Sequence, residues 1–201
     1  MVVSTPSHVR QMPRAEHIAL IVGGIAAWRL KERATDAEIR RECTRALGDA
    51  MAAAIDVRAT ALTVVVPEDE ALPATWSGVV PERDPDGLQV VVRVGASGRR
   101  AITDAVRTIL KAIEDGRRGP HVVEDDIDAA LRGVGPGDPD LVVRVGGRHN
   151  LSNQLLWESS YAELAFIESP WPAVTRMQLV EAFEAFRRRQ RRFGGLTAKA
   201  R

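Results

Sequence analysis

The sequence predicts an α/β fold, a largely parallel central sheet flanked by helices. Three observations carry this. Apolar runs of strand length recur at Ile18 to Val22, Ala61 to Val66, Leu88 to Val94, Leu141 to Val143 and Leu164 to Ile167. Segments with helical apolar spacing alternate with them. Four turns, at Gly23, Pro67, Gly95 and Gly146, each follow a run. Strands alternating with helices imply parallel crossovers. In such sheets ligands sit beyond the C-terminal strand ends, so the four turns are expected on one edge.

The first run is continuously apolar, as a strand covered on both faces must be. Gly23-Gly24 turns the chain, and Ala26 to Leu30 continue as a short helical or irregular piece. Thr35 and Glu38 have capping-box spacing. They open a helix to about Ile55 whose apolar face is Ile39, Cys43, Ala46, Leu47, Ala50 and Ala54. Pro67 stops the second strand, and Glu68 to Gly87, rich in Pro, Asp and Glu, reads as a charged loop.

After the third strand, Gly95 to Gly98 form a turn. Arg99 to Asp115 follow as an amphipathic helix with Ile102, Val106, Ile109, Leu110 and Ile113 inward. Gly116 to Pro120 break it, Val123 to Leu131 form a short helix, and Gly133 to Gly137 a loop. Beyond the fourth strand, Ser152 to Ser159 read as helical. Pro170-Trp-Pro172 is a turn, Thr175 to Arg189 a helix, and Arg191-Arg-Phe-Gly-Gly195 a basic tail. The expected organisation is a flexible segment over 1–14, one domain over 15–196 and a tail over 197–201.

A chain of 201 residues fits one domain with a real core. Its 45% hydrophobic and 27% charged residues are those of a soluble globular protein. A net charge of +1 argues against a nucleic-acid partner. No run approaches the roughly 20 apolar residues of a membrane span. The polar residues 1–14 lack the apolar stretch of a secretory signal, so a cytoplasmic location is expected. The single cysteine, Cys43, cannot form an internal disulfide and reads as a small buried residue.

The C-terminal third carries Asp140-Leu-Val-Val-Arg-Val-Gly-Gly147, Leu151-Ser-Asn-Gln-Leu-Leu-Trp157, Tyr161-Ala-Glu-Leu164, Trp171-Pro172 and Arg191-Arg-Phe-Gly-Gly195. In these motifs, their order and their spacing, the chain resembles the cis-prenyltransferases, the undecaprenyl diphosphate synthase family. The resemblance implies a site for isopentenyl diphosphate at Arg144 and Ser152, with Asn150 and Arg148 standing where the family has Arg and Glu. It implies a metal link for His149 and Glu163. It also implies that the tail, with Arg192 and Gly194 in an Arg-x-Gly motif, reaches across a dimer interface into the other subunit's site. Taken alone, Arg144 also fits a salt-bridged strand end and Gly146-Gly147 a mere tight turn.

The N-terminal half departs from the family. Where the family's first strand ends in Asp-Gly-Asn-Gly-Arg-Trp, this chain has Gly23-Gly24-Ile-Ala-Ala-Trp28. Gly23 replaces the magnesium-holding, catalytic Asp and offers a hard cation no carboxylate. Ala27 replaces an Arg that holds the allylic diphosphate and offers a phosphate no charge. Asp36 falls at a phosphate-binding Arg and Arg40 at a His. Pro67-Glu-Asp-Glu-Ala-Leu72 keeps the Glu of a family segment but not its Asn or Trp. Between Leu72 and Leu88 the region of the tunnel helix is shortened.

This loss and retention fits a non-catalytic partner subunit of a heteromeric cis-prenyltransferase, inactive alone. The catalytic subunit would hold Mg2+ in a heterodimer or heterotetramer, with a homodimer left open. Leu155, Leu156 and Trp157 are expected at the dimer face. Two other readings remain. One is a self-sufficient, divergent short-chain prenyltransferase using Arg29, Arg33 or Arg40 for the allylic diphosphate. The other is a non-catalytic diphosphate-binding protein.

Overall fold

The computed structural model describes residues 15–70, 87–132 and 136–188. Five strands form one sheet in the order β3-β2-β1-β4-β5. They are β1 (His17–Ile21), β2 (Ala61–Pro67), β3 (Gln89–Ala96), β4 (Leu141–Val145) and β5 (Glu163–Ile167). Every pairing is parallel. All five expected strands are present. β1 is central, and each of its residues is buried, which explains its unbroken apolar run.

The helices are α1 (Ile25–Glu32), α2 (Asp36–Asp56), α3 (Gly98–Glu114), α4 (Glu124–Arg132) and α5 (Arg176–Arg188). The predicted capping box is formed. Thr35 Oγ1 accepts from the Glu38 N–H, and Glu38 Oε2 accepts from the Thr35 N–H at 2.8 Å. Gly24 precedes α1 in the left-handed region, with φ 77°.

One sheet face buries Ile18, Leu20, Val22, Leu62, Val64 and Val143 against α2 and α5. Small residues of α2, namely Ala46, Ala50, Ala53 and Ala54, have no exposed surface, so that helix lies close on the sheet. Trp171, Phe183 and Phe186 fill the same layer. The opposite face has a smaller cluster of Ala19, Ile21, Val65, Val142 and Leu155.

Ser152 to Ser159 are a series of turns, not the expected helix. Ser152, Asn153 and Leu155 have φ of 48°, 61° and 49°, which breaks a right-handed helix. Asn153 is committed to the start of α3. The Asn153 carbonyl accepts from the Gly98 N–H at 2.6 Å, and Asn153 Oδ1 accepts from the Arg99 N–H at 3.1 Å. The segment therefore caps a neighbouring helix in place of forming its own.

Leu155 also departs from expectation. It packs beneath the sheet with Ala19 and Val142, away from any outer face. Trp157 is tethered through its indole N–H to Asp128. Leu156 alone of the three is exposed. Among the described residues no helix is long and apolar enough to cross a membrane.

Candidate functional site

The C-terminal strand ends do converge on one edge. There the turn after β1 meets the turn after β4: a Cβ on Gly146 would come within 2.5 Å of the Gly23 carbonyl carbon. The Gly23 carbonyl accepts from the Trp171 N–H at 2.9 Å, and Pro170 packs on Gly24. The Gly23-Gly24 turn is thus held on several sides by backbone.

Arg144 sits on β4 beside this turn and is only 1% exposed. Its Nη1 donates to the carbonyls of Val22, at 2.8 Å, and Ile21, at 3.3 Å. Burial pulls its pKa down, and the nearby Glu70 carboxylate pulls it back up. The resemblance implied a substrate contact here; the structure turns the guanidinium inward onto the end of β1. Its charge is held by backbone dipoles and by Glu70.

Glu70 closes the other side. Its Oε1 accepts from the Gly24 N–H at 2.9 Å and its Oε2 from the Ile25 N–H at 3.0 Å. These N–H groups begin α1, where the helix dipole favours an anion. A Cβ added at Gly23 would meet Arg144 Nη2 at 2.8 Å and Glu70 Oε1 at 3.1 Å. A side chain at this position would therefore crowd the ends of a guanidinium and a carboxylate. The sequence marks Glu70 as a residue that the resemblance retains but does not show its target, which lies 46 positions away in the chain.

The remaining expected residues do not assemble into one site within the chain. Ser152 donates its hydroxyl to Asn150 Oδ1 at 2.7 Å. His149 Nε2 lies 2.6 Å from Glu168 Oε1, and its ring packs on Phe166. Glu163 opens β5, where its N–H donates to the Asp140 carbonyl. His149 follows the other end of the neighbouring strand. At about 3.3 Å per residue, the length of β5 separates them by roughly 13 Å. One chain therefore does not bring His149 and Glu163 to a common metal ion.

Nor does the Gly23 turn suit magnesium: Gly23 brings no carboxylate, the Glu70 oxygens are taken by the Gly24 and Ile25 N–H groups, and the buried Arg144 cation lies beside them. No group of three His, Cys, Asp or Glu residues among those described could hold a metal. Arg29, a candidate for the allylic diphosphate, pairs with Asp36 at 2.9 Å. Arg192 and Gly194 lie outside the described residues.

The undecaprenyl diphosphate synthase family model (Prenyltransf) matches residues 39–194. The match begins past the Gly23 turn, where the motif residues depart. Isoprenyl transferase 2 of Bradyrhizobium diazoefficiens is 37% identical over 118 residues, which make up 58% of this chain and 47% of that protein. The isoprenyl transferase of Thermotoga maritima is 39% identical over 111 residues, 55% of this chain and 47% of that protein. The chain spans about half the length of these curated relatives.

Lavandulyl diphosphate synthase from Lavandula x intermedia, solved with dimethylallyl diphosphate, is similar in fold. Its TM-score is 0.75 at 19% identity, covering 90% of this chain and 98% of that one. A probable undecaprenyl diphosphate synthase from Campylobacter jejuni gives a TM-score of 0.62 at 20% identity, covering 91% and 100%.

Proposed function

The chain belongs to the undecaprenyl diphosphate synthase family, and from that premise we propose that it is a non-catalytic partner subunit of a heteromeric cis-prenyltransferase. The observation that carries this reading is the crowded space at Gly23. A magnesium-bound diphosphate needs a carboxylate at this turn and open helix N–H groups; here Gly23 offers no carboxylate, Arg144 lies beside it, and Glu70 occupies the Gly24 and Ile25 N–H groups. The catalytic subunit would hold Mg2+ and the allylic diphosphate. This chain would supply the Arg-x-Gly tail, with Arg192 giving a charge-assisted bond to isopentenyl diphosphate in the partner's site and Gly194 letting the backbone approach.

Exposed apolar residues support an association surface. Leu156, Tyr161, Leu164 and Phe166 are all exposed on edge strand β5 and the turns before it. An edge strand with apolar side chains outward invites a covering partner.

Co-expression with a catalytic family member tests the reading. The expected result is a stable complex with a higher rate of prenyl transfer. Arg192→Ala should lower that rate while the complex stays assembled. A chain that neither binds the catalytic subunit nor changes its rate ends the proposal. The names of the relatives favour a second reading, a self-sufficient transferase. Turnover of isopentenyl and allylic diphosphates by the purified chain alone would establish it.

A further inference from the structure

We propose that Glu68, Asp69 and Glu70 form an anionic strap across the C-terminal sheet edge that keeps phosphates out of this chain's own cleft. The proposal deepens the subunit reading and can fail separately from it. Three consecutive carboxylates reach three different elements. Glu68 Oε2 accepts from Arg100 Nη2 of α3 at 2.8 Å. Asp69 Oδ2 accepts from Arg148 Nη1, in the turn after β4, at 3.2 Å. Glu70 places one oxygen on each of the Gly24 and Ile25 N–H groups. The Glu70 N–H donates to the Pro67 carbonyl at 3.1 Å, which fixes the turn that aims it.

The helix end is one side of an anion site, and the buried Arg144 is the other. Its guanidinium points into the crevice at Gly23, and its Nε, fully buried, has no hydrogen-bond acceptor. A cation buried this deeply needs an opposing charge. Glu70 supplies it, and with two oxygens on two N–H groups it mimics the way a phosphate seats on a helix N-terminus. The two acids before it add negative charge at the mouth and consume Arg100 and Arg148. An approaching diphosphate meets carboxylates and no uncommitted guanidinium among these.

Titration calorimetry of the full chain with inorganic pyrophosphate tests this, in wild type, Glu70→Ala and Asp69→Asn/Glu70→Gln. The double variant keeps side-chain volume and guards against a fold lost through truncation. Pyrophosphate should bind the variants at least about tenfold more tightly than wild type. Amide signals of Gly24 and Ile25 should move in the variants and stay fixed in wild type. Equal affinity in wild type and variants overturns the strap. So does a folded variant with no gain, or pyrophosphate-induced movement of the Gly24 and Ile25 signals in wild type. Activation of a catalytic subunit by wild-type chain is measured separately and bears on the subunit reading alone.

Discussion

Gly146 lies so close to Gly23 that a methyl group on it would stand 2.6 Å from the Gly23 carbonyl oxygen. Gly146 also has φ of 103°, which L side chains rarely adopt. The contact locks the exit of β4 against the exit of β1. Gly146→Ala therefore meets both a backbone clash and an unfavourable conformation. It should cost about 3 kcal/mol or more, read as a lowered urea midpoint. A variant as stable as wild type would show that the two turns can separate.

Gly23→Asp restores the family's residue in name only. Its Cβ would meet Arg144 Nη2 and Glu70 Oε1. We expect destabilisation of about 1–3 kcal/mol from overpacking and no prenyl transfer by the variant alone. Product formation in a radiolabelled isopentenyl diphosphate assay would contradict this.

Arg144→Met leaves the Ile21 and Val22 carbonyls without their donor and Glu70 without its buried counter-charge. The loss should be about 2–4 kcal/mol. Arg144→Lys should recover only part of it, because an ammonium lacks the guanidinium fork. Chemical denaturation without any ligand is the measurement. If Arg144 served a substrate and not the fold, the Met variant would unfold at the wild-type midpoint.

His17 is buried in β1, with Nε2 at 2.8 Å from the Thr63 hydroxyl. Burial pushes its pKa below the ordinary 6.5, against the opposing pull of neighbouring backbone and the Asp140 carboxylate. In the window just below 6.5 the unfolded chain takes up a proton that the folded chain refuses. Stability thus falls as pH drops through that window, by at most about 1.4 kcal/mol per pH unit from this group. Urea midpoints at about pH 7 and about pH 5.5 should differ more for wild type than for His17→Gln. Equal differences would remove His17 from the account.

Cys43 is wholly buried on the inner face of α2, and burial raises its thiol pKa to about 12. A thiol so protonated is a poor nucleophile. Labelling by a thiol reagent at neutral pH should proceed only as fast as the chain opens, and at full speed in denaturant. Rapid labelling of native protein would place Cys43 near the surface.

Most of the scaffold was legible because local signals matched tertiary demands. Ile18 to Val22 is buried on both faces and is apolar throughout; Thr35 and Glu38 cap α2 with groups three residues apart. Ser152 to Ser159 carry a helical apolar pattern, whereas the backbone at Ser152 to Leu155 turns to meet α3, far away in sequence. The roles of Arg144 and Glu70 were also hidden. An arginine at a strand end is compatible with binding a phosphate or bracing a neighbour, and the bonds from Arg144 to the Ile21 and Val22 carbonyls show only in the packing. The departure at Gly23 was plain in the sequence; what crowds that position was not.

The crowded crevice also ties together positions far apart in the chain. A side chain at position 23 would touch the ends of Arg144 and Glu70, and Glu70 in turn holds the Gly24 and Ile25 N–H groups. Substitutions at these positions should therefore be non-additive, each changing what the others tolerate.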